Sequence, residues 1–172
     1  MNRQLLLLRH AKSSWDDPVL GDHDRPLAAR GRRAAPLIGD YLHGAGLIPD
    51  RVWCSTAQRA TETWQLVAES AGIDVETDYD SGIYHAEHHR LIRLIQHFPP
   101  DCIRAMLIGH NPAMEMLALE LIGRDGCGRL DSLQAKYPTA ALAVIDFKAD
   151  LWADIRPGSG TLQAFIKPRE LA

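Results

Sequence analysis

Leu5-Leu6-Leu7-Leu8 runs directly into Arg9-His10. A short apolar run that stops at polar residues reads as a strand buried on both faces rather than an amphipathic helix, and it delivers Arg9 and His10 at its C-terminal end. Downstream, Leu27, Ala34, Leu37, Ile38, Tyr41 and Leu42 recur at helical spacing, behind Pro26 and ahead of Gly44 and Gly46. Residues 51–54 read as a second strand, 56–71 as a helix ended by Gly72, and 73–77 as a third strand with β-branched residues. An irregular stretch, 78–84, precedes a helix that carries Leu91, Ile92, Leu94 and Ile95 and is closed by Pro99-Pro100. Residues 105–108 form a fourth strand ending at Gly109-His110-Asn111-Pro112, and the helix that follows stops at Gly123. Residues 124–138 lack a period and read as a surface excursion, with two late strands at 140–147 and 161–166. Strands alternating with helices predict one α/β domain over residues 1–172: a three-layer α/β/α sandwich on a mainly parallel sheet of about six strands.

Composition narrows the class. In 172 residues, 46% are hydrophobic and 24% charged, which excludes a disordered or fibrous chain. The net charge of -3 argues against a broad nucleic-acid footprint, although a local arginine cluster can still select a small anion. Cys54, Cys102 and Cys127 are too far apart in sequence for a CxxC site and odd in number, which fits a reducing compartment. The run at residues 5–8 is too short for a signal core or membrane span, so the expected location is the cytoplasm, without a membrane partner.

Three strand ends collect the chemistry: Arg9-His10 after the first, Ser55 and Arg59 after the second, His110 after the fourth. Ligands of open α/β sheets bind at that edge. Two arginines suit phosphate oxygens, and the starts of the helices after Thr56 and Pro112 favour an anion. A neutral imidazole can attack phosphorus and form a phosphohistidine while arginines neutralise the transferring group, a route that calls for no metal or cofactor. A lone histidine is more often a core or surface residue than a catalyst, so this reading rests on the cluster.

The motifs then carry a resemblance. Leu8-Arg9-His10-Ala11-Lys12-Ser13, Asp24-Arg25-Pro26-Leu27 with Gly31, Ser55-Thr56-Ala57-Gln58-Arg59-Ala60-Thr61-Glu62-Thr63 and Gly109-His110-Asn111-Pro112 resemble, in order, the motifs of the histidine phosphatase superfamily with its phosphoglycerate mutase-like fold. The form Arg9-His10-Ala11-Lys12-Ser13-Ser14-Trp15 and Lys136-Tyr137-Pro138-Thr139-Ala140 look most like the SixA branch of phosphohistidine phosphatases. The resemblance implies His10 as nucleophile and Arg9, Arg59 and His110 as the phosphate pocket, with Ser13 and Asn111 adding hydrogen bonds beside it.

One departure matters. Related phosphomonoesterases and mutases place a glutamate after the third strand to protonate a departing alkoxide. The corresponding Asp80-Ser81-Gly82-Ile83-Tyr84 has none, and the nearest carboxylates are Asp78, Asp80 and Glu87, with Asp80 and Glu87 the candidate acids. A phosphohistidine nitrogen leaves more easily than an alkoxide, so the gap favours a phosphohistidine on a signalling or phosphotransfer protein. The alternatives are a phosphatase for small phosphomonoesters and a non-catalytic phosphate- or phosphopeptide-binding module. His85, His88 and His89 share a short stretch but show no distant ligand and read as a solvated first helical turn rather than a metal site. Arg30, Arg32 and Arg33 read as an exposed helix face, and Asp24 as the organiser of the turn before it. Trp15 suits either the rim of the site or the packing of its loop, and the glycines of 125–132 are compatible with a flap.

Overall fold

The computed structural model describes residues 2–172. Its elements are β1 (Arg3–Arg9), α1 (Ala29–Gly44), β2 (Arg51–Ser55), α2 (Gln58–Ala71), β3 (Thr77–Asp80), α3 (His88–Gln96), β4 (Arg104–Gly109), α4 (Ala113–Leu121), β5 (Ile122–Asp125), α5 (Leu130–Ala135), β6 (Leu142–Phe147) and β7 (Gly160–Ile166), joined by short 3₁₀ turns. One seven-stranded sheet runs in the order β3-β2-β4-β1-β6-β7-β5. β1 to β4 are mutually parallel, β6 is antiparallel to β1 and β7, and β5 runs parallel to β7. The α/β sandwich on a mainly parallel sheet is therefore present, with one strand more than expected.

The opening leucines explain the layering. Side chains alternate across a strand, so Leu5 and Leu7 enter one core with Leu91, Ile95 and Leu117, while Leu6 and Leu8 enter the other with Ile38, Leu42 and Val67. All four are fully buried, each worth about 2 kcal/mol in apolar burial. The α1 and α2 helices approach so closely that a Cβ on Gly39 would stand 2.5 Å from the Val67 carbonyl oxygen. On the opposite face Trp152 is a buried wedge whose indole N–H donates to the Cys102 carbonyl, which also accepts from Arg3 Nη1 at 2.8 Å.

Two local expectations change. The third strand lies at Thr77–Asp80 rather than 73–77: Ile73 is buried and Val75 packs beside it against the α1–α2 core, while the polar segment pairs with β2 as an edge strand. Residues 124–138 are not a bare excursion, since they contain the end of β5 and all of α5. Asp125 Oδ1 accepts the backbone N–H groups of Cys127, Gly128 and Arg129, and Oδ2 that of Leu130, which fastens the supposed flap as a turn at the sheet edge three strands from β1. The cysteines are all free thiols. No helix among the described residues is long and apolar enough to cross a membrane.

Candidate active site

β1, β4 and β2 lie side by side and in parallel, so their C-terminal ends bring Arg9-His10, Gly109-His110 and Ser55 to one edge. The His10 and His110 rings sit 5.0 Å apart, tilted by 48°. Both are buried. His10 N–H donates to the Gly109 carbonyl at 3.1 Å, tying the two histidine segments together.

The His10 loop is held from two sides. Ala11 N–H donates to Thr63 Oγ1 at 2.9 Å, and that hydroxyl donates to the Arg59 carbonyl at 2.6 Å, coupling the loop to the helix turn that carries Arg59. Ala28 N–H donates to the Lys12 carbonyl and Ser14 N–H to that of Pro26, while Ser13 is buried in a bridge with Leu27.

The protons can then be placed. His10 Nδ1 lies 2.7 Å from the Ala11 carbonyl, an acceptor only, so Nδ1 carries the proton and Nε2 keeps its lone pair. His110 Nε2 lies 2.7 Å from Ser55 Oγ, and its Nδ1 is buried with no protein partner. Burial, followed by the charges of Arg59, Arg9 and Arg25, pushes His10 down to about 4 despite the opposing bond to Ala11. Burial, then His10 and Arg59, pushes His110 down to about 3. Both rings are neutral at pH 7.

The arginines are fixed by acceptors that leave part of each fork free. Arg9 Nη1 donates to the Tyr137 carbonyl at 2.8 Å, and Arg9 Nε is buried and unpartnered. Arg59 Nη1 and Nη2 donate to the Asp22 carbonyl at 2.6 Å and to Asp22 Oδ2 at 3.0 Å, and Arg59 Nε is likewise buried without a partner. Two orphaned guanidinium N–H groups and one orphaned imidazole nitrogen within one cluster describe a place for an oxyanion.

Asn111 takes a different position from a simple phosphate contact. Its amide donates to the same Tyr137 carbonyl at 3.1 Å and its Oδ1 accepts the Glu115 N–H at 3.3 Å, so it braces the Arg9 anchor against the start of α4. Asp80 turns its carboxylate back onto the Gly82 N–H at 2.7 Å, and Asp78 pairs with Arg51 at 2.7 Å. Glu87 is exposed at the start of α3 but lines a cleft of about 510 Å³ with Tyr84 and His110. His88 has a distant partner after all: its Nε2 lies 2.8 Å from Glu120, with the His89 ring 3.9 Å from its own.

Three residues without a role in the sequence reading complete the site. Asp22, rather than Asp24, organises the loop: its carboxylate pairs with Arg59 and Arg25 and accepts the Tyr84 hydroxyl. The Tyr84 bond first, then Arg59 and Arg25, holds that carboxyl down at about 2. Buried Arg25 sits 3.4 Å over the Trp15 ring, which accounts for the exposed tryptophan as a platform for this arginine. Asp22 lies among Asp16, Asp17 and Asp24, and nothing in the sequence separates it from them.

Parallel strand ends gather two neutral histidines with Arg9 and Arg59, whose free N–H groups suit the oxygens of a phosphoryl group. The sequence profile of the histidine phosphatase superfamily (branch 1) matches residues 5–80. An uncharacterized protein of Mycobacterium tuberculosis is 36% identical over 164 residues, 94% of this chain and all of the relative. A protein of Agrobacterium tumefaciens that carries the name phosphohistidine phosphatase SixA by assignment is similar in structure, with a TM-score of 0.81 and 30% identity over 96% of this chain and 98% of its own. Another so assigned, from Nakamurella multipartitia, has a TM-score of 0.84 and 28% identity over 98% and 97% of the two chains. The chain belongs to the histidine phosphatase superfamily, on its SixA-like side. It is a phosphatase of that class.

Proposed function

We propose that the chain hydrolyses a phosphohistidine carried by a signalling or phosphotransfer protein, by way of a phosphoryl group held on His10 Nε2. In the first step the Nε2 lone pair forms the new P–N bond. The substrate's own P–N bond breaks, and its electron pair returns to the substrate imidazole, which departs neutral if its other nitrogen already carries a proton. Arg9, Arg59 and a proton on His110 Nδ1 face the charge on the transferring oxygens. In the second step water attacks phosphorus, phosphate leaves, and His10 Nε2 recovers its lone pair. Because His10 Nδ1 keeps its proton on the Ala11 carbonyl throughout, His10 leaves as a neutral imidazole.

The observation that carries the choice of substrate is the state of Asp22. It is the carboxylate that reaches the pocket arginine Arg59, and at about 2 it is an anion at neutral pH with no proton for a departing alkoxide. One observation favours a second reading, a small phosphomonoester: Glu87 shares the cleft with His110. The test is phosphate release from a phosphohistidine peptide and from an aryl phosphate by wild type, His10→Ala and Glu87→Gln. The proposal expects the peptide to be the better substrate, no turnover by His10→Ala, and little change in Glu87→Gln. Preference for the ester with loss in Glu87→Gln establishes the second reading. Phosphate binding without any turnover makes the chain a binding module.

A further inference from the structure

Six cations line one groove of about 450 Å³ between α1, the segment after α5 and the last turn of the chain: Lys12, Arg30, Arg33, Lys136, Lys167 and Arg169. No aspartate or glutamate side chain lines it; the last residue, Ala172, closes one end, its carboxylate outside ion-pair distance of these cations. Among the described residues, Lys12, Arg30, Arg33, Lys136 and Arg169 have no carboxylate within ion-pair distance, whereas Arg25, Arg32, Arg51, Arg59 and Arg129 all do. The chain as a whole carries 22 acidic and 19 basic residues, so five of those 19, about a quarter, gather without an ion-pair partner on one face of an acidic protein, with the buried Lys167 beside Glu170 at its floor.

The groove's lining adjoins, in the chain and through backbone hydrogen bonds, the segments that build the catalytic pocket. Lys12 stands two residues after His10, and its carbonyl accepts the Ala28 N–H at the start of α1. Pro138 and Thr139 follow Tyr137, whose carbonyl holds Arg9, and the Ala140 N–H donates to the carbonyls of both Arg9 and His10. Like-charged side chains left unpaired repel one another and destabilise the fold, so an acidic partner that covers them relieves that cost.

We propose that this groove docks an acidic segment of the phosphorylated protein substrate, placing its phosphohistidine at His10; this rests on the phosphohistidine reading. Charge complementarity selects the occupant. Lys12, Arg30, Arg33, Lys136 and Arg169 are exposed, long and separately hinged, which suits steering and orienting a protein surface, while the pocket arginines are fixed by hydrogen bonds to suit one phosphoryl group. Between the cations, Leu37, Pro138 and Pro168 offer apolar ground for the side chains of a bound segment.

The test compares the wild type with Arg30→Glu/Arg33→Glu, both exposed positions on α1. Binding of a fluorescent Glu-rich peptide without a phosphoryl group is read by anisotropy, and kcat/KM is read on phosphohistidine peptides with Glu-rich or neutral flanks and on an aryl phosphate. The wild type is expected to bind the Glu-rich peptide and to prefer the acidic flank by about tenfold at low ionic strength, with the preference fading in salt. The double variant loses the binding and the preference and keeps its rates on the neutral peptide and the aryl phosphate, which also shows that it is folded. Equal use of both flanks by the wild type, or a preference that survives the double substitution, overturns the docking surface and leaves the phosphohistidine reading intact. Arg30- and Arg33-dependent peptide binding without turnover of any phosphohistidine peptide leaves the surface standing and removes that reading. Binding of ATP to the groove, with none of the acidic peptide, makes it a small-anion site and overturns the proposal.

Discussion

Ser55 Oγ lies 2.7 Å from His110 Nε2 and accepts the Ala57 N–H at 3.2 Å. The buried hydroxyl has no other acceptor among the described residues, so its single proton goes to Nε2, and the His110 proton is placed on the buried, unpartnered Nδ1. Ser55→Ala therefore frees the tautomer. Losing one hydrogen bond of this kind is worth about 1–2 kcal/mol, so kcat should fall by roughly five- to thirtyfold. ¹⁵N chemical shifts of His110 should report protonated Nδ1 in the wild type and a mixture in the variant. An unchanged nitrogen spectrum would show that Ser55 serves only to cap the turn before α2.

Both histidines titrate below the ordinary value of 6.5, His10 at about 4 and His110 at about 3. Between those values and 6.5 the unfolded chain binds more protons than the folded one, so the two neutral rings favour folding fully above pH 6.5 and lose that contribution as pH falls toward 4. The slope reaches about 1.4 kcal/mol per pH unit for each ring at most. Urea midpoints from pH 7 to 4.5 should fall steeply in the wild type and less steeply in His110→Gln. Ring-proton shifts that moved with a midpoint near 6.5 would contradict the neutral pair.

Asp22 occupies Arg59 as an internal anion, with Arg25 and Tyr84 on its other side. Removing the charge while keeping the shape, in Asp22→Asn, leaves the bond from Arg59 Nη1 to the Asp22 main-chain carbonyl and adds a net positive charge beside the pocket. Inorganic phosphate should then inhibit about three- to tenfold more tightly, a shift on the scale of one partly screened charge. Weaker inhibition would mean that the carboxylate's main service is to hold Arg59 in place.

The parts legible in the sequence are those where chemistry and chain order coincide. Leu5 to Leu8 announce a doubly covered strand because both faces of β1 are apolar, and His10, Arg59 and His110 each stand at or just after a strand end, so their convergence follows from a parallel sheet. The illegible parts depend on partners distant in sequence. Thr77–Asp80 lacks the apolar signal of a strand because it borders solvent at the sheet edge, and it is fixed by its ladder with β2. Ile122–Asp125 is a mostly exposed strand held by β7. Asp22 owes its role to Tyr84, 62 positions away, and the Asn111 amide is bound to the carbonyl of Tyr137, 26 positions away.

Gly31 shows how the helix register reaches His10. It lies in the first turn of α1, and a Cβ built there would stand 2.2 Å from the Lys12 carbonyl oxygen, far inside contact distance. That carbonyl accepts the Ala28 N–H, and the same loop carries the Ala11 carbonyl that fixes the His10 proton and the Ala11 N–H that meets Thr63. The obstacle is backbone on both sides, so no rotamer change relieves it. Gly31→Ala must push the start of α1 from the loop, at a cost of about 1–3 kcal/mol, with a gain of up to about 1 kcal/mol in helix propensity setting against it. The variant should melt several degrees lower and lose kcat by a larger factor than its stability loss explains, since the Ala11 carbonyl and the His10 ring shift together. Gly39→Ala is the control: it introduces a clash of the same kind, 2.5 Å from the Val67 carbonyl oxygen between α1 and α2, but away from the His10 loop. It should lower the melting temperature with kcat preserved below the transition, and equal losses of kcat in both variants would refute a specific path from α1 to His10.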